Sequence, residues 1–459
     1  MLRNRAAGNN SEELSLPADD THVIEVGEAP GDPFIELKAR IHERLIRELD
    51  LNKLTGKDHD GVRLLVEEAA GMMLVKEGVP LARQERTRLV VEIADEVLGL
   101  GPLEPLLRDP TITEVLVNRP NKVFVERAGK LYLSRRVFRD EAHIMRIIEK
   151  IVGPLGRHID EASPMVDARL ADGSRVNVII PPLSIDSPVI SIRKFSRDAL
   201  TVNDLINLGT WTPDVAELMK ICVQGKENIL IAGGTGTGKT TLLNVLSSFI
   251  PPEERIVTIE DPCELQLQQP HVVRLETRPP NIEGKGAIVQ RDLVRNALRM
   301  RPDRIIVGEV RSGEAFDMLQ AMNTGHEGSL TTVHANSPRD ALARIENMVL
   351  MANLDLPARA IREQIASGIH LIVHLNRLPD GSRRVTQISE IAGMEGEIIT
   401  MQDIFEFRYT RAGTDGKVKG FLIPTGLRPK LADRLERRGM TLRPGIFSGG
   451  GGELWNQRR

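Results

Sequence analysis

The sequence predicts an α/β protein whose main domain is built on a largely parallel sheet. A small α+β domain and an N-terminal helical bundle precede it. Three observations predict this. After Pro213, short apolar runs alternate with helical stretches, the pattern of a sheet covered by helices on both faces. One of these runs leads straight into a glycine-rich turn and then a helix. Between Gly101 and Pro188, runs of alternating apolar and polar residues are separated by hairpin turns.

The glycine-rich turn is Gly233-Gly234-Thr235-Gly236-Thr237-Gly238-Lys239-Thr240, continued by Thr241. Asn228 to Ala232 reads as the buried strand before it, and Thr241 to Leu246 as the first turns of the helix after it. Strand, glycine-rich turn and helix are the context of a phosphate-binding loop. The glycines let the backbone curl so that several N–H groups face one anion. The helix N-terminus adds partial positive charge. Lys239 is expected to reach the β- and γ-phosphates of ATP, and the Thr240 hydroxyl to sit on Mg²⁺.

Composition bounds the rest. The chain has 459 residues, 41% of them hydrophobic and 27% charged, as in a globular protein of more than one domain. A net charge of -3 gives no bulk argument for nucleic-acid binding. The two cysteines, Cys222 and Cys263, lack metal-ligand spacing, and zinc is disfavoured. No apolar run approaches the ~18 residues that span a bilayer. Nor does the start hold an apolar leader core. The expectation is a cytoplasmic protein that meets a membrane only through partners.

In order along the chain, residues 1–33 read as a disordered acidic tail, with Glu12, Glu13, Asp19, Asp20, Glu25 and Glu28. Residues 34–100 read as a helical bundle, with Leu37, Ile41, Leu45 and Leu49 recurring every four positions. Further helices are expected over Val62 to Glu77 and Gln84 to Leu98, split by Gly78 to Pro80. Residues 101–195 form the α+β domain, with strands expected at 113–117, 122–126, 166–170, 175–180 and 189–195 and a helix at 143–152. Residues 196–212 are the expected linker, 213–448 the main domain and 449–459 a flexible end. Strands of the main domain are expected at 228–232, 256–259, 272–275, 304–307, 329–333 and 369–375, followed by a late meander.

Hydrolysis needs carboxylates for Mg²⁺ and water, and cations for the charge of the transition state. Arg304 to Gly308 is an apolar strand delivering Glu309, the expected polariser of the attacking water. Ile256 to Ile259 similarly delivers Glu260, expected on the metal and water side, with Asp261 fixing the turn. His334 lies just past a strand. Either it hydrogen-bonds the γ-phosphate or it is a satisfied structural histidine, and both readings stay open. Arg169, Arg175 and Arg193 lie on or beside strands, and each is either a phosphate ligand or solvated surface. Arg295, Arg299 and Arg301 sit along an expected helix and its end, either a basic pore-lining surface or subunit contact or, the simpler reading, a solvated acid-paired face.

Taken together, these stretches resemble the secretion ATPase superfamily: the Walker A segment Gly233 to Thr240, the acidic box Thr258 to Pro262, the Walker B end Gly308-Glu309 and the His box Thr324 to Asn336. Gly101 to Leu106, Asp167 to Leu170, Asp172 to Arg175, Ser191 to Phe195 and Asn296 to Glu309 resemble the CpaF-like branch, which assembles tight-adherence (Flp-type) pili. The resemblance implies a RecA-like P-loop ATPase domain, a homohexamer and inner-membrane pilus platform proteins as partners. It places the protein in the cytoplasm, peripheral at the inner membrane. It implies Glu309, Glu260 and His334 as catalytic residues and Thr240 and Glu260 at Mg²⁺. Arg169, Arg175 and Arg193 would supply phosphate or trans contacts. No stable nucleic acid is implied. A ring translocase acting on DNA and a nucleotide-gated scaffold are the competing readings.

Overall fold

The structure is a computed structural model that describes residues 32–48, 59–127, 129–195, 200–280, 285–352, 354–409 and 418–448. The acidic tail up to residue 31, most of the 410–419 loop and the 449–459 end lie outside the described residues. The chain divides into two compact units, Met1–Arg197 and Asp198–Arg459.

The first unit begins with α1 (Ile35–Glu48), α2 (His59–Lys76) and α3 (Arg83–Leu98). The four-residue spacing of Leu37, Ile41 and Leu45 puts them on one face of α1, which packs on Leu74, Leu89 and Ile93. After a short α4 (Glu104–Arg108) come β1 (Ile112–Arg119), β2 (Lys122–Arg127) and β3 (Lys130–Leu133). Then follow α5 (Glu141–Val152), β4 (Met165–Arg169), β5 (Arg175–Ile179) and β6 (Val189–Arg193). The six strands pair antiparallel in the order β3-β2-β1-β6-β5-β4. Asp140 starts α5 by accepting the His143 N–H at 2.6 Å. Ile144, Ile147, Ile148 and Ile151 of α5 then cover Val115, Val117, Val176, Val178, Ile190 and Ile192 of the sheet.

The second unit opens with α6 (Val202–Asn207), inside the stretch expected to be linker. Thr201 and Asp204 form a capping box for it, and Leu205 and Trp211 are buried in the unit's core. Next come α7 (Pro213–Gln224), β7 (Ile229–Gly233), α8 (Lys239–Ser247), β8 (Ile256–Glu260) and β9 (Val272–Glu276). α9 (Gln290–Ala297), β10 (Arg304–Val307), α10 (Glu314–Asn323), β11 (Leu330–His334) and α11 (Pro338–Met351) continue the alternation. The chain ends through α12 (Ala358–Gly368), β12 (Leu371–Arg377), β13 (Arg383–Glu395), β14 (Ile398–Tyr409), β15 (Gly420–Pro424) and α13 (Lys430–Arg437).

These nine strands form one sheet in the order β15-β14-β13-β12-β7-β11-β10-β8-β9. From β12 to β9 every neighbour is parallel, and β13, β14 and β15 add the antiparallel meander. α7, α8 and α13 pack on the face carrying Ile229, Ile231, Ile306 and Leu330. α9, α10, α11 and α12 pack on the face carrying Leu230, Ala232, Ile305 and Val307. Burial on both faces explains why β7, and β10 after its buried Arg304, read as apolar runs. Each such Ile or Leu stabilises the fold by about 1.5–3 kcal/mol.

Candidate functional site

β7 ends on Gly233, where a Cβ would lie 2.6 Å from the Leu375 carbonyl oxygen of β12. Only glycine lets the loop start there. Gly236 and Gly238 have φ of 70° and 95°, the left-handed region. The Thr237 hydroxyl donates to the Gly234 carbonyl at 2.9 Å, and Lys239 Nζ donates to the same oxygen at 2.9 Å, folding the loop onto itself. No side chain caps α8, so its first N–H groups remain available to an anion.

The strand order β7-β11-β10-β8 lines up the other groups. His334 ends β11 in register with Gly233 of β7. Its Nε2 lies 3.3 Å from Lys239 Nζ and 2.9 Å from Glu309 Oε1, just beyond β10. Glu309 Oε2 accepts from an Arg311 amino group at 2.8 Å, and Arg311 also lies 3.8 Å from Asp261. The result is a row of polar and charged groups, Lys239, His334, Glu309, Arg311 and Asp261, across the carboxyl ends of the strands.

Burial, then the charge of Lys239, push the His334 imidazole below its ordinary pKa. The ring lies between two partners: Nε2 faces Glu309 Oε1 at 2.9 Å, and Lys239 Nζ lies 3.4 Å from Nδ1 and 3.3 Å from Nε2. Burial also lowers the Lys239 pKa, against the pull of Glu309. Glu309 keeps a side-chain exposure of 21%, enough for water to reach it.

Glu260 is almost fully buried, and its two oxygens differ. Oε2 accepts the backbone N–H groups of Glu264 and Leu265 at 2.6 and 2.8 Å, bracing the acidic loop. Oε1 is buried with no hydrogen-bond partner. Gly308 makes room for this carboxylate, since a Cβ there would lie 3.1 Å from Glu260 Cγ. Asp261 accepts from the Thr277 hydroxyl at 2.6 Å.

Several groups at this edge lie outside the sequence expectations. Arg311 is one, and Glu314 sets its backbone by accepting the N–H groups of Arg311 and Ser312. Arg344 donates to the His334 carbonyl at 2.8 Å. His374 of β12 hydrogen-bonds the backbone at Ala335 and Asn336, just past His334, and its Nδ1 is 2.9 Å from the Thr386 hydroxyl. Arg383 Nε donates to the Gly236 carbonyl at 2.9 Å. Arg311 had a faint signal, an arginine two residues past an acid at a strand end. His374 and Arg383 had none, because they reach the site through strand pairing.

The three upstream arginines belong to the first unit, where the register makes them one row. Arg169 pairs with Arg175, Arg175 with Arg193, and Arg193 with Glu114. Directly paired residues share a face, and their neighbours Val176 and Ile192 point to the α5 core, so the row lies on the face away from α5. Arg291 and Arg295 of α9 both pair with Asp317, at 2.8 and 2.9 Å. Arg299 and Arg301 lie past the helix end, and Arg304 is fully buried.

Residues 96–415 match the family described as type II/IV secretion system protein. The chain belongs to that family. Residues 34–98 match the N-terminal domain of type II secretion system protein E. A putative conjugal transfer protein of Mycobacterium tuberculosis is 38% identical over 309 residues, 66% of this chain and 87% of its own length. The type IV secretion system protein VirB11 of Bartonella henselae is 33% identical over 336 residues, 64% of this chain and 93% of its own. The crystal structure of the VirB11 ATPase from Brucella suis is 32% identical, covers 63% of this chain and 95% of its own, and has a TM-score of 0.34. The family consists of ATP-hydrolysing secretion and conjugation ATPases, so this secretion-family chain is an ATPase. None of its described helices is long and apolar enough to cross a membrane.

Proposed function

We propose that this secretion-family ATPase is a hexameric motor that couples ATP hydrolysis to assembly of a tight-adherence (Flp-type) pilus, with retraction left open. It acts in the cytoplasm, peripheral at the inner membrane, through platform proteins of that membrane. The observation that carries the hydrolytic part is the hydrogen-bonded row from Lys239 through His334 to Glu309 and Arg311. The pilus part rests on the CpaF-like stretches of the sequence.

The residues present fit ATP with Mg²⁺. The loop Gly233 to Gly238, Lys239 and the uncapped start of α8 offer donors to a polyphosphate. Among the described residues no group of three or more metal-ligating side chains could hold a metal alone. That suits Mg²⁺, which keeps waters and phosphate oxygens and takes few protein ligands. Thr240 and Glu260 would hold it, and Glu260 Oε1 is the carboxylate oxygen left without a partner in the chain. The ion would supply charge neutralisation at the transferred phosphate.

The chain's own residues would then divide the work. Lys239, Thr240 and Thr241 bind and orient the phosphates. Glu309 polarises the attacking water, and its side chain is positioned by Arg311 and by His334. His334 reads the γ-phosphate: an anion drawn to Lys239 competes with the imidazole for the ammonium and shifts the His334–Glu309 contact. Arg169, Arg175 and Arg193, aligned as one cationic row, would supply phosphate or trans contacts.

A DNA translocase has less support, since Arg291 and Arg295 are paired with Asp317. The test has two parts. The purified chain should hydrolyse ATP with Mg²⁺ as a hexamer by light scattering, and Glu309→Gln should bind ATP without turnover. In the native host, Glu309→Gln should abolish surface pili. Intact pili with lost DNA transfer or protein export would move the assignment to a conjugation or secretion machine.

A further inference from the structure

The β12–β13 hairpin lies far from the phosphate loop in sequence and meets it at Gly233, Gly236 and Gly238. The Leu375 carbonyl of β12 closes on Gly233, and Arg383 Nε, at the start of β13, donates to the Gly236 carbonyl at 2.9 Å. The Arg383 stem rests against the loop's last glycine: a Cβ on Gly238 would sit 3.6 Å from Arg383 Cδ. The Arg383 amino groups Nη1 and Nη2 have no hydrogen bond to any described residue, and the residue is exposed.

We propose that Arg383 is a positioning residue of the nucleotide site, holding the phosphate loop in its binding shape. This rests on reading Gly233 to Thr240 as an ATP site.

The hairpin that delivers Arg383 is firmly built. The Leu378 N–H donates to the Ser382 carbonyl and the Gly381 N–H to the Leu378 carbonyl, both at 2.8 Å. Asp380 accepts from the Ser382 N–H and hydroxyl, at 2.9 and 2.7 Å, and from the Val418 N–H at 2.8 Å. Those bonds hold the Asp380 carboxyl down at about 2, so it stays ionised and the turn stays closed at neutral pH. Next door, Arg384 ties the same strand to the Gly209 carbonyl. The guanidinium is thus anchored on both sides of its backbone.

The contact has a stereochemical consequence. A trans peptide points its C=O and N–H in opposite directions. Fixing the Gly236 carbonyl on Arg383 therefore turns the Thr237 N–H away from the guanidinium, as a turn that gathers amides around an anion requires. Gly236, at φ 70°, has no side chain to restrain that peptide. Without Arg383 the peptide is free to flip and the amide is lost from the cradle. The donor that holds the carbonyl is Nε, a position that a glutamine's amide nitrogen occupies and a lysine's ammonium overshoots by one atom.

The test uses the full chain as wild type, Arg383→Ala, Arg383→Lys and Arg383→Gln. Binding of a fluorescent ATP analogue and steady-state turnover are measured, with melting curves for each. The expected result is a KM and a Kd raised about tenfold in Arg383→Ala, with kcat within about twofold of wild type. That split marks lost binding rather than lost chemistry. Arg383→Gln, which keeps an uncharged N–H donor, should recover part of the loss and Arg383→Lys less. Unchanged KM and Kd in Arg383→Ala with the wild-type melting point would overturn the proposal. So would a loss of kcat alone. A wild-type chain that binds no ATP would instead remove the nucleotide reading, and this inference with it.

Discussion

The two ends of the parallel sheet in the second unit are both polar, yet they are built on opposite plans. At the amino end, Glu227 and Asn228 are fully buried. The Asn228 side chain makes four hydrogen bonds, donating to the Met322 and Gly368 carbonyls and accepting the N–H groups of Gly328 and Ser329. Glu227 meets His370 at 2.9 Å and Arg434 of α13 at 3.1 Å, and Arg434 continues to Glu390 at 3.1 Å. At the carboxyl end, the row from Lys239 to Asp261 is strung along an open edge, with His334 35% and Arg311 53% exposed. The closed end joins strands, helices and α13 into one body. The open end holds its charges in place and leaves them reachable. A buried polar group with its partners supplied by the chain serves the fold, whereas charges left to solvent at strand tips can serve a ligand.

Four substitutions test this contrast. Glu309→Gln has the largest expected effect: turnover falls about 10²–10⁴-fold with ATP binding retained, read by phosphate release beside a binding titration. Asn228→Ala at the closed end leaves two buried N–H groups and two carbonyls without partners. It should cost roughly 3 kcal/mol or more of stability, seen by denaturant unfolding, with KM unchanged in the folded fraction. A fall in kcat at full stability would break the comparison. Arg311→Gln removes one support from Glu309 and should lower kcat about tenfold while leaving the melting point within a degree or two.

The smallest effect concerns His374. Burial lowers its pKa in the fold, so folding favours the neutral ring. The associated stability is complete above the unfolded value near 6.5. It declines as pH falls from there through the depressed folded value. His374→Gln should therefore lose less melting temperature than wild type between pH 7.5 and pH 5.5. An equal loss would place the acid sensitivity elsewhere, at His334 or the carboxylates.

Much of this protein was legible before folding. The strand, glycine turn and helix at Ile229 to Leu246 carry their own periodicity and breakers, and the structure places each element within two residues of its expected position. Glu309 and Glu260 were visible because a buried strand ending in an acid is a local pattern. The linker reading of Leu200 to Trp211 overlooked α6, whose capping box Thr201–Asp204 is equally local. The acidic tail and the C-terminal end carry expectations that lie outside the described residues.

The sequence by itself determined the elements, because hydrophobic period, glycine and capping act between residues a few positions apart. It also determined which side chains stand at strand tips. Only the tertiary structure decided which tips are neighbours. Strand order set His334 between Lys239 and Glu309, register aligned Arg169, Arg175 and Arg193, and the β12–β13 hairpin brought Arg383 to Gly236. The physical reason is that pairing and packing act through space. A partner 147 residues away leaves no periodic trace in the chain that must find it.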